Sequence, residues 1–286
     1  MNTPAAEFDI DETLVDRLVR TQHPDLAGPL TLVASGWDNV IYRLGRDLSV
    51  RLPRRQVAVD LIVNEQRWLP VLAAYVEVAL PVPVRAGVPG EGYPWPWTIV
   101  PWFEGRTVAT VPPPDRAGLA VPLAAFMTGL HRPAPPEAPP NPVRGVPLAA
   151  RDDAVRRRLP SIPRSAELLA LWEKLVALPH WQGPALWLHG DPHPANLLAD
   201  EGGLAAVLDF GDLTSGDPAT DLAAAWLVFD EDAREVFRAH VDADAVTWER
   251  ARGWALCMGT ALAANSADHP GMAAIGGHVL GQVLLS

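Results

Sequence analysis

Residues 185–215 read ALWLHGDPHPANLLADEGGLAAVLDFGDLTS, and this segment limits the fold more than any other. ALWL, NLLA and LAAVLDF are apolar runs of strand length bounded by turn residues. The second and third are joined by Asp200-Glu201-Gly202-Gly203, which predicts a hairpin with a four-residue loop. If Ala199 pairs near Leu204, Asn196 falls near Val207 and Asp209 projects just beyond it. Asp191 enters the same end from the preceding loop. Two carboxylates and one amide then converge at one mouth of a rigid ribbon. Such oxygen-only ligands suit Mg²⁺, which keeps some waters and takes the rest of its shell from substrate phosphates. His189 and His193 offer a competing reading as metal ligands with Asp191, giving a metal-dependent hydrolase. Such a site normally wants three or four protein donors, and no other histidine or cysteine cluster is obvious, so this reading is the weaker.

The N-terminal third reads as a helix followed by strands. Asp11 is a plausible N-cap for a helix over 11–21 with an apolar face of Leu14, Val15, Leu18 and Val19. TLVASGWDNVIYRLG breaks at Ser35-Gly36 and resumes at Val40, which predicts a hairpin with a polar tip. LSVRL alternates, with Leu48, Val50 and Leu52 on one face and Ser49 and Arg51 on the other. Residues 57–74 predict a helix with an apolar stripe of Leu61, Trp68, Leu69 and Leu72. Glu65 sits inside that stripe. A carboxylate facing a core is costly unless paired, so a cation should meet it.

YPWPWTIVPWFEG (93–105) reads as an apolar strand leaving through a proline-punctuated connection, a candidate boundary between two lobes. A helix at about 115–131 follows. Then comes HRPAPPEAPPNPVRGVP, a packed surface loop. Beyond 150 the chain is mostly helical outside 185–215, with no internal repeat.

Composition narrows the functional classes. The 286 residues are 49% apolar and 20% charged, with a net charge of −11. That balance argues against nucleic acid, whose binding rests on neutralising phosphates, and is compatible with a cationic small molecule. No run is long and apolar enough to span a bilayer, so no membrane partner is expected. The acidic MNTPAAEFDIDE start shows no signal peptide, and the one cysteine, Cys257, fits a reducing cytoplasm. Lys174 is the only lysine among 23 basic residues, so an arginine standing where lysine is usual must be read against that bias.

Asp191, Asn196 five residues on and Asp209 18 residues on, followed by Phe210-Gly211, resemble the catalytic loop and metal-binding triplet of the protein-kinase-like fold. His-Gly-Asp-x-x-x-x-Asn with Asp-Phe-Gly-Asp, rather than His-Arg-Asp, resembles the aminoglycoside phosphotransferase family of small-molecule kinases. GWDNVIYRLG, VRLPRR, NEQRWL, YPWPWTIVPW, HGDPHPANLL and DFGDLTSGDPATDLA fall in family order. The resemblance implies an α+β, two-lobed fold. Residues 1–100 would form a nucleotide-binding lobe of antiparallel sheet plus helix, 101–106 a hinge, and 107–286 a mostly helical lobe for catalysis and acceptor binding.

The same resemblance implies roles. Asp191 would orient the acceptor hydroxyl and take its proton. Asn196 and Asp209 would hold Mg²⁺ on the phosphates of ATP or GTP. Ser35, Gly36 and Asn39 would cover the triphosphate, and Pro101 and Trp102 lie in the connection that would hold the base. The family's phosphate-binding lysine falls on Arg51, with Glu65 as its partner. Arg54 or Arg55 in that role, or a non-catalytic nucleotide-binding kinase fold, are the other readings. His189 and Asp221 would brace the catalytic loop, and His193 is unassigned, with acceptor or phosphate contact as the lesser option. Asp217-Pro218 opens a helix. Asp212, Trp226, Asp230, Glu231 and Trp254 are candidates for the acceptor, with core or solvated roles as the plain alternative. The implied activity is phosphorylation of a hydroxyl on a small molecule, an aminoglycoside- or macrolide-like antibiotic or, alternatively, an amino alcohol or sugar metabolite. The oligomeric state stays open.

Overall fold

The computed structural model describes residues 4–285. By internal packing the described residues form two compact units, one of residues 4–104 with 208–211 and one of 105–207 with 212–285.

In the N-terminal unit, α1 (Glu12–Gln22) starts at Asp11, whose side chain accepts the Leu14 N–H at 2.7 Å. All four predicted apolar residues of α1 are buried. They pack with Val40, Tyr42, Val50, Leu52, Trp97 and Ile99 of the sheet in one apolar core. The strands are β1 (Leu30–Ser35), β2 (Asn39–Leu44), β3 (Leu48–Pro53), β4 (Arg85–Gly87) and β5 (Trp97–Pro101), antiparallel in the order β1-β2-β3-β5-β4. The sheet is thus the predicted antiparallel one, with the polar break at Ser35-Gly36 forming the β1–β2 turn. Between β3 and β4 lies α2 (Val59–Leu72), preceded by a 3₁₀ turn over Gln56–Ala58. Its inward face is Ile62, Glu65, Leu69 and Leu72. Leu61 and Trp68, placed in the stripe from sequence, flank it half-buried. The tighter 3₁₀ entry delays the helix, and the face that reaches the core starts at Ile62.

The C-terminal unit begins with β6 (Arg106–Thr107) and continues through α3 (Ala120–Leu130), α4 (Asp152–Arg158), α5 (Ser165–Val176) and β7 (Leu186–Leu188). The hairpin β8 (Leu197–Asp200) and β9 (Gly203–Val207) follows, then β10 (Thr214–Gly216). The rest is helical: α6 (Ala219–Leu222), α7 (Ala224–Val228), α8 (Glu231–Ala239), α9 (Ala245–Asn265) and α10 (Pro270–Leu285). Central to this unit, α9 is buried on nearly every side, as expected of a helix with little amphipathicity. Its approach to α10 needs Gly276, where a Cβ would come within 2.6 Å of the Ala263 amide nitrogen. The proline-dense stretch 131–147 carries no helix or strand, only a bridge from Pro133 to Leu186.

The β8–β9 hairpin corrects the register drawn from sequence. Asp200 pairs with Gly203, so the loop is the two residues Glu201-Gly202, closed by the Gly202 N–H on Asp200 Oδ1 at 2.7 Å. Ala199 does pair with Leu204, but a bulge between Leu198 and Ala199 inserts Ala205 and brings Leu197 opposite Val207. Val207 therefore faces Leu197, one residue beyond Asn196. A bulge sets two residues against one and advances everything after it. No helix among the described residues is long and apolar enough to cross a membrane.

Candidate active site

Within the N-terminal unit, Glu65 meets the cation its stripe position requires. Arg51 on β3 donates from Nη1 to Glu65 Oε2 at 2.7 Å, and the Phe210 N–H donates to Glu65 Oε1 at 3.1 Å. Arg51 is 7% exposed and Glu65 2%. Burial works against the Arg51 charge, but Glu65 and Asp209 outweigh it and hold the guanidinium ionised. Burial pushes the Glu65 carboxyl above the ordinary range against the pull of Arg51, and the nearby Asp209 charge adds to the rise. Asp209 sits at φ +57°, a left-handed backbone that only short polar residues and glycine adopt readily, and its Oδ1 accepts the Gly211 N–H at 3.2 Å. The neighbouring arginines do other work. Arg54 donates to the Gly36 carbonyl at 2.6 Å and Arg55 to Asp38 at 2.8 Å, so both brace the β1–β2 turn.

In that turn the Gly36 N–H donates to the Asn39 carbonyl at 2.9 Å, while Asn39 Oδ1 is buried without a partner. Ser35 pairs with Val40 across the hairpin. Pro101 ends β5 opposite Leu48. The Trp102 N–H is taken by the Asp47 carbonyl at 2.8 Å, leaving its ring, which carries the Arg43 guanidinium 4.6 Å from the centroid.

In the C-terminal unit the catalytic-loop candidates come together. Asp221, with no exposed surface, accepts the N–H groups of His189 and Gly190 at 2.8 Å each and lies 3.2 Å from His131 Nε2. Gly190 has φ +89°, and a Cβ there would lie 2.3 Å from the Asp212 carbonyl oxygen. The loop therefore needs glycine twice over, for conformation and for space. His189 Nδ1 accepts the Asp191 N–H at 3.1 Å and His193 Nδ1 the Ala195 N–H at 3.2 Å. Each Nδ1 is thus engaged by nearby backbone, and among the described residues no three His, Cys, Asp or Glu side chains gather as a metal site. The hydrolase reading thus lacks a donor set. Asn196 Nδ2 donates to the Asp191 carbonyl at 3.0 Å, which leaves its Oδ1 as the group with capacity for a cation.

Asp191 is surrounded by basic groups. Arg144 Nη2 lies 3.0 Å from its Oδ1 and His193 Nε2 lies 3.4 Å from its Oδ2. Burial alone would raise the Asp191 carboxyl, but His193, Arg144 and His189 outweigh it and hold it below the usual aspartate range. Arg144 also reaches Asp212 Oδ2 at 3.2 Å, and Asn141 Nδ2 donates to Asp212 Oδ1 at 2.8 Å. Arg144, Asn141 and His131 all come from the proline-dense stretch that reads as a mere loop. The one local hint is a lone arginine inside the otherwise uncharged NPVRGVP. Asp217 accepts the Ala219 N–H at 3.0 Å and is locked to Arg250 at 2.7 Å.

A cavity of about 100 Å³ opens beside Asp191 and His193, with Arg144, Arg151 and Arg158 on its wall. Trp226, Asp230, Glu231 and Trp254 do not line it. Trp226 is core, 6.4 Å from the Trp248 ring, and Trp254 is fully buried. Asp230 caps α8 by accepting the Ala233 N–H, and Glu231 is a first-turn acid of that helix. Core packing and capping claim these four before any ligand does.

The same architecture is known elsewhere. The chain is similar to an aminoglycoside phosphotransferase solved with GDP and kanamycin, with a TM-score of 0.71 at 20% identity over 93% of this chain and 97% of that one. A macrolide 2'-phosphotransferase of type I matches with a TM-score of 0.62 at 20% identity over 96% and 99%. A macrolide 2'-phosphotransferase from Brachybacterium faecium matches with a TM-score of 0.61 at 21% identity over 93% and 97%. At these identities the likeness is one of fold, α+β and kinase-like. Comparison with curated proteins gives no match by sequence. The model of the phosphotransferase enzyme family, however, matches residues 29–254, which take in β2, β3, α2, the catalytic-loop candidates and the segment after β9. With that span matched, this chain belongs to the phosphotransferase enzyme family.

Proposed function

We propose that the protein transfers a phosphoryl group from a nucleoside triphosphate to a hydroxyl of a small molecule. The observation that carries this reading is Asp191, kept ionised by basic neighbours at a cavity wall on a loop that Asp221 braces. Phosphoryl transfer asks for positioning and charge neutralisation more than for a strong base, so an ordinary carboxylate serves to orient the hydroxyl and take its proton. The N-terminal unit would bind ATP or GTP, with Arg51 held by Glu65 against the phosphates, the Ser35–Asn39 turn over them, and 101–106 as the hinge. Relatives of this fold have been solved with GDP, ADP and ATP. The oxygen chemistry of Asn196 and Asp209 fits Mg²⁺, which would neutralise charge on the transferring phosphates. A nucleotide donor and a single buried cysteine suit the cytoplasm.

For the acceptor, the relatives point to antibiotics, an aminoglycoside or a macrolide. The arginines around the cavity favour a second reading, a metabolite kinase. The test is ADP or GDP release with Mg·ATP and Mg·GTP over both acceptor classes. Acceptor-dependent release that Asp191→Asn abolishes supports the reading. Failure to bind either nucleotide would sink it.

A further inference from the structure

The cavity beside Asp191 is lined unlike a pocket for a polycation. Arg144, Arg151 and Arg158 stand on its wall, and Asp191 is its only carboxylate. Asp191 is already engaged by Arg144 and His193. Among the described residues neither Arg151 nor Arg158 makes an ion pair or a side-chain hydrogen bond, and the Nε atoms of Arg144 and Arg151 are buried without partners. Burial, together with the charges of Arg151, Arg144 and Arg157, depresses Arg158. Like charges gathered in a partly buried pocket are unfavourable unless an anion completes them. Guanidinium groups offer forked donors that match a carboxylate or phosphate with two parallel hydrogen bonds. Apart from His193, the rest of the wall is apolar, with Leu227, Met258, Leu262 and Met272 as its larger side chains.

We propose that this cavity takes a hydroxyl-bearing organic anion, its carboxylate or phosphate gripped by Arg151 and Arg158, its apolar body against Met258 and Leu262, and its hydroxyl at Asp191. Arg144 stays with Asp191 and Asp212, which leaves Arg151 and Arg158 for the anion. The proposal rests on the phosphotransferase reading only for the hydroxyl's place at Asp191, and the charge selection stands on the cavity alone. A polyamine acceptor would meet three cations here.

The test uses the full chain and matched probes of one length: 6-hydroxyhexanoate, its uncharged amide, and 6-aminohexan-1-ol, with glycerol 3-phosphate as the phosphate arm and kanamycin as the polycation. Binding is read by thermal shift without nucleotide, and turnover by ADP or GDP release. The anionic probes should raise the melting temperature and be the better acceptors, whichever of carboxylate and phosphate leads. Arg158→Gln and Arg151→Gln should each raise the KM for the anionic probe by about tenfold to a hundredfold, the scale of a lost charge-assisted hydrogen bond. Their effect on the amide should be far smaller. The unliganded variants should melt close to wild type, since neither loses an ion pair or a side-chain hydrogen bond, which separates lost binding from lost folding. Preference for aminohexanol or kanamycin, no response to either anion, or KM values indifferent to both arginines would overturn the proposal. Anion binding without any nucleotide turnover would leave the subsite standing and remove the phosphotransferase reading instead.

Discussion

Arg144 Nη2 lies 3.0 Å from Asp191 Oδ1 and 3.2 Å from Asp212 Oδ2, so one guanidinium ties the proposed base to the acid that follows Phe210-Gly211. Arg144 is one of the groups that hold Asp191 below its usual range. In Arg144→Gln the Asp191 carboxyl should titrate at higher pH, moving the acid limb of kcat/KM upward. Looser placement of Asp191 should lower kcat/KM at neutral pH by about tenfold to a hundredfold. A depressed carboxyl lends stability above its unfolded value and loses it as pH falls through its folded value. The stability gap between wild type and variant should therefore close in acid. An unmoved acid limb would refute this role.

Glu65 answers both Arg51 and the Phe210 N–H from a nearly dry site. Glu65→Ala strands a buried guanidinium and should cost about 3–5 kcal/mol in urea denaturation. Replacing both partners, Arg51→Met with Glu65→Leu, should recover part of that loss, because a packed apolar pair needs no counter-charge, while the Phe210 N–H still loses its Glu65 acceptor. The double variant should nevertheless bind Mg·ATP poorly, which separates the pair's part in stability from its part in nucleotide binding. Recovery of nucleotide affinity along with stability would count against Arg51.

Asp221 accepts two buried backbone N–H groups of the loop that presents Asp191. Asp221→Ala takes the Asp221 acceptor from both and should cost about 3 kcal/mol or more. Asp221→Asn keeps one acceptor oxygen and should fall between. Turnover should drop further than the unfolded fraction accounts for, as judged by activity at temperatures well below the melting transition.

His278 on α10 lies 3.1 Å from the Phe229 carbonyl, and burial pulls it below its ordinary value of 6.5. The unfolded chain therefore takes up this proton first. Stability from this group is complete above pH 6.5 and declines as pH drops until the folded group also titrates. The slope should be no steeper than about 1.4 kcal/mol per pH unit. His278→Gln keeps a donor for Phe229 and should flatten melting temperature against pH between neutrality and pH 5.5, roughly one unit below the ordinary histidine value. An unchanged slope would assign the pH dependence elsewhere.

Much of this was legible locally. The α1 face, the Ser35-Gly36 turn and the need for a cation at Glu65 follow from periodicity and from the cost of a buried carboxylate, which are properties of short windows. The β8–β9 bulge was not legible, because Ala205 and Ala206 are chemically equivalent and nothing in LAAV says which is doubled. Ile62 replaced Leu61 in the inward face of α2 for a similar reason, since a 3₁₀ entry shifts phase without changing composition. Arg144, Asn141 and His131 escaped notice because their partners lie 47, 71 and 90 residues away. Proline density announces a loop and is silent about what the loop reaches.

Those separations bear on how the chain acquires its working form during synthesis. The segment with Arg144 leaves the ribosome well before Asp191, and Asp221 follows 32 residues after His189. At about 5–20 residues per second, seconds separate these arrivals. Until Asp221 emerges, the amides of His189 and Gly190 lack their acceptor, and Arg144 waits with its charge unanswered. The nascent chain thus completes the loop that presents Asp191 only once Asp221 has emerged, so a product ended before that residue would lack the brace on the proposed base.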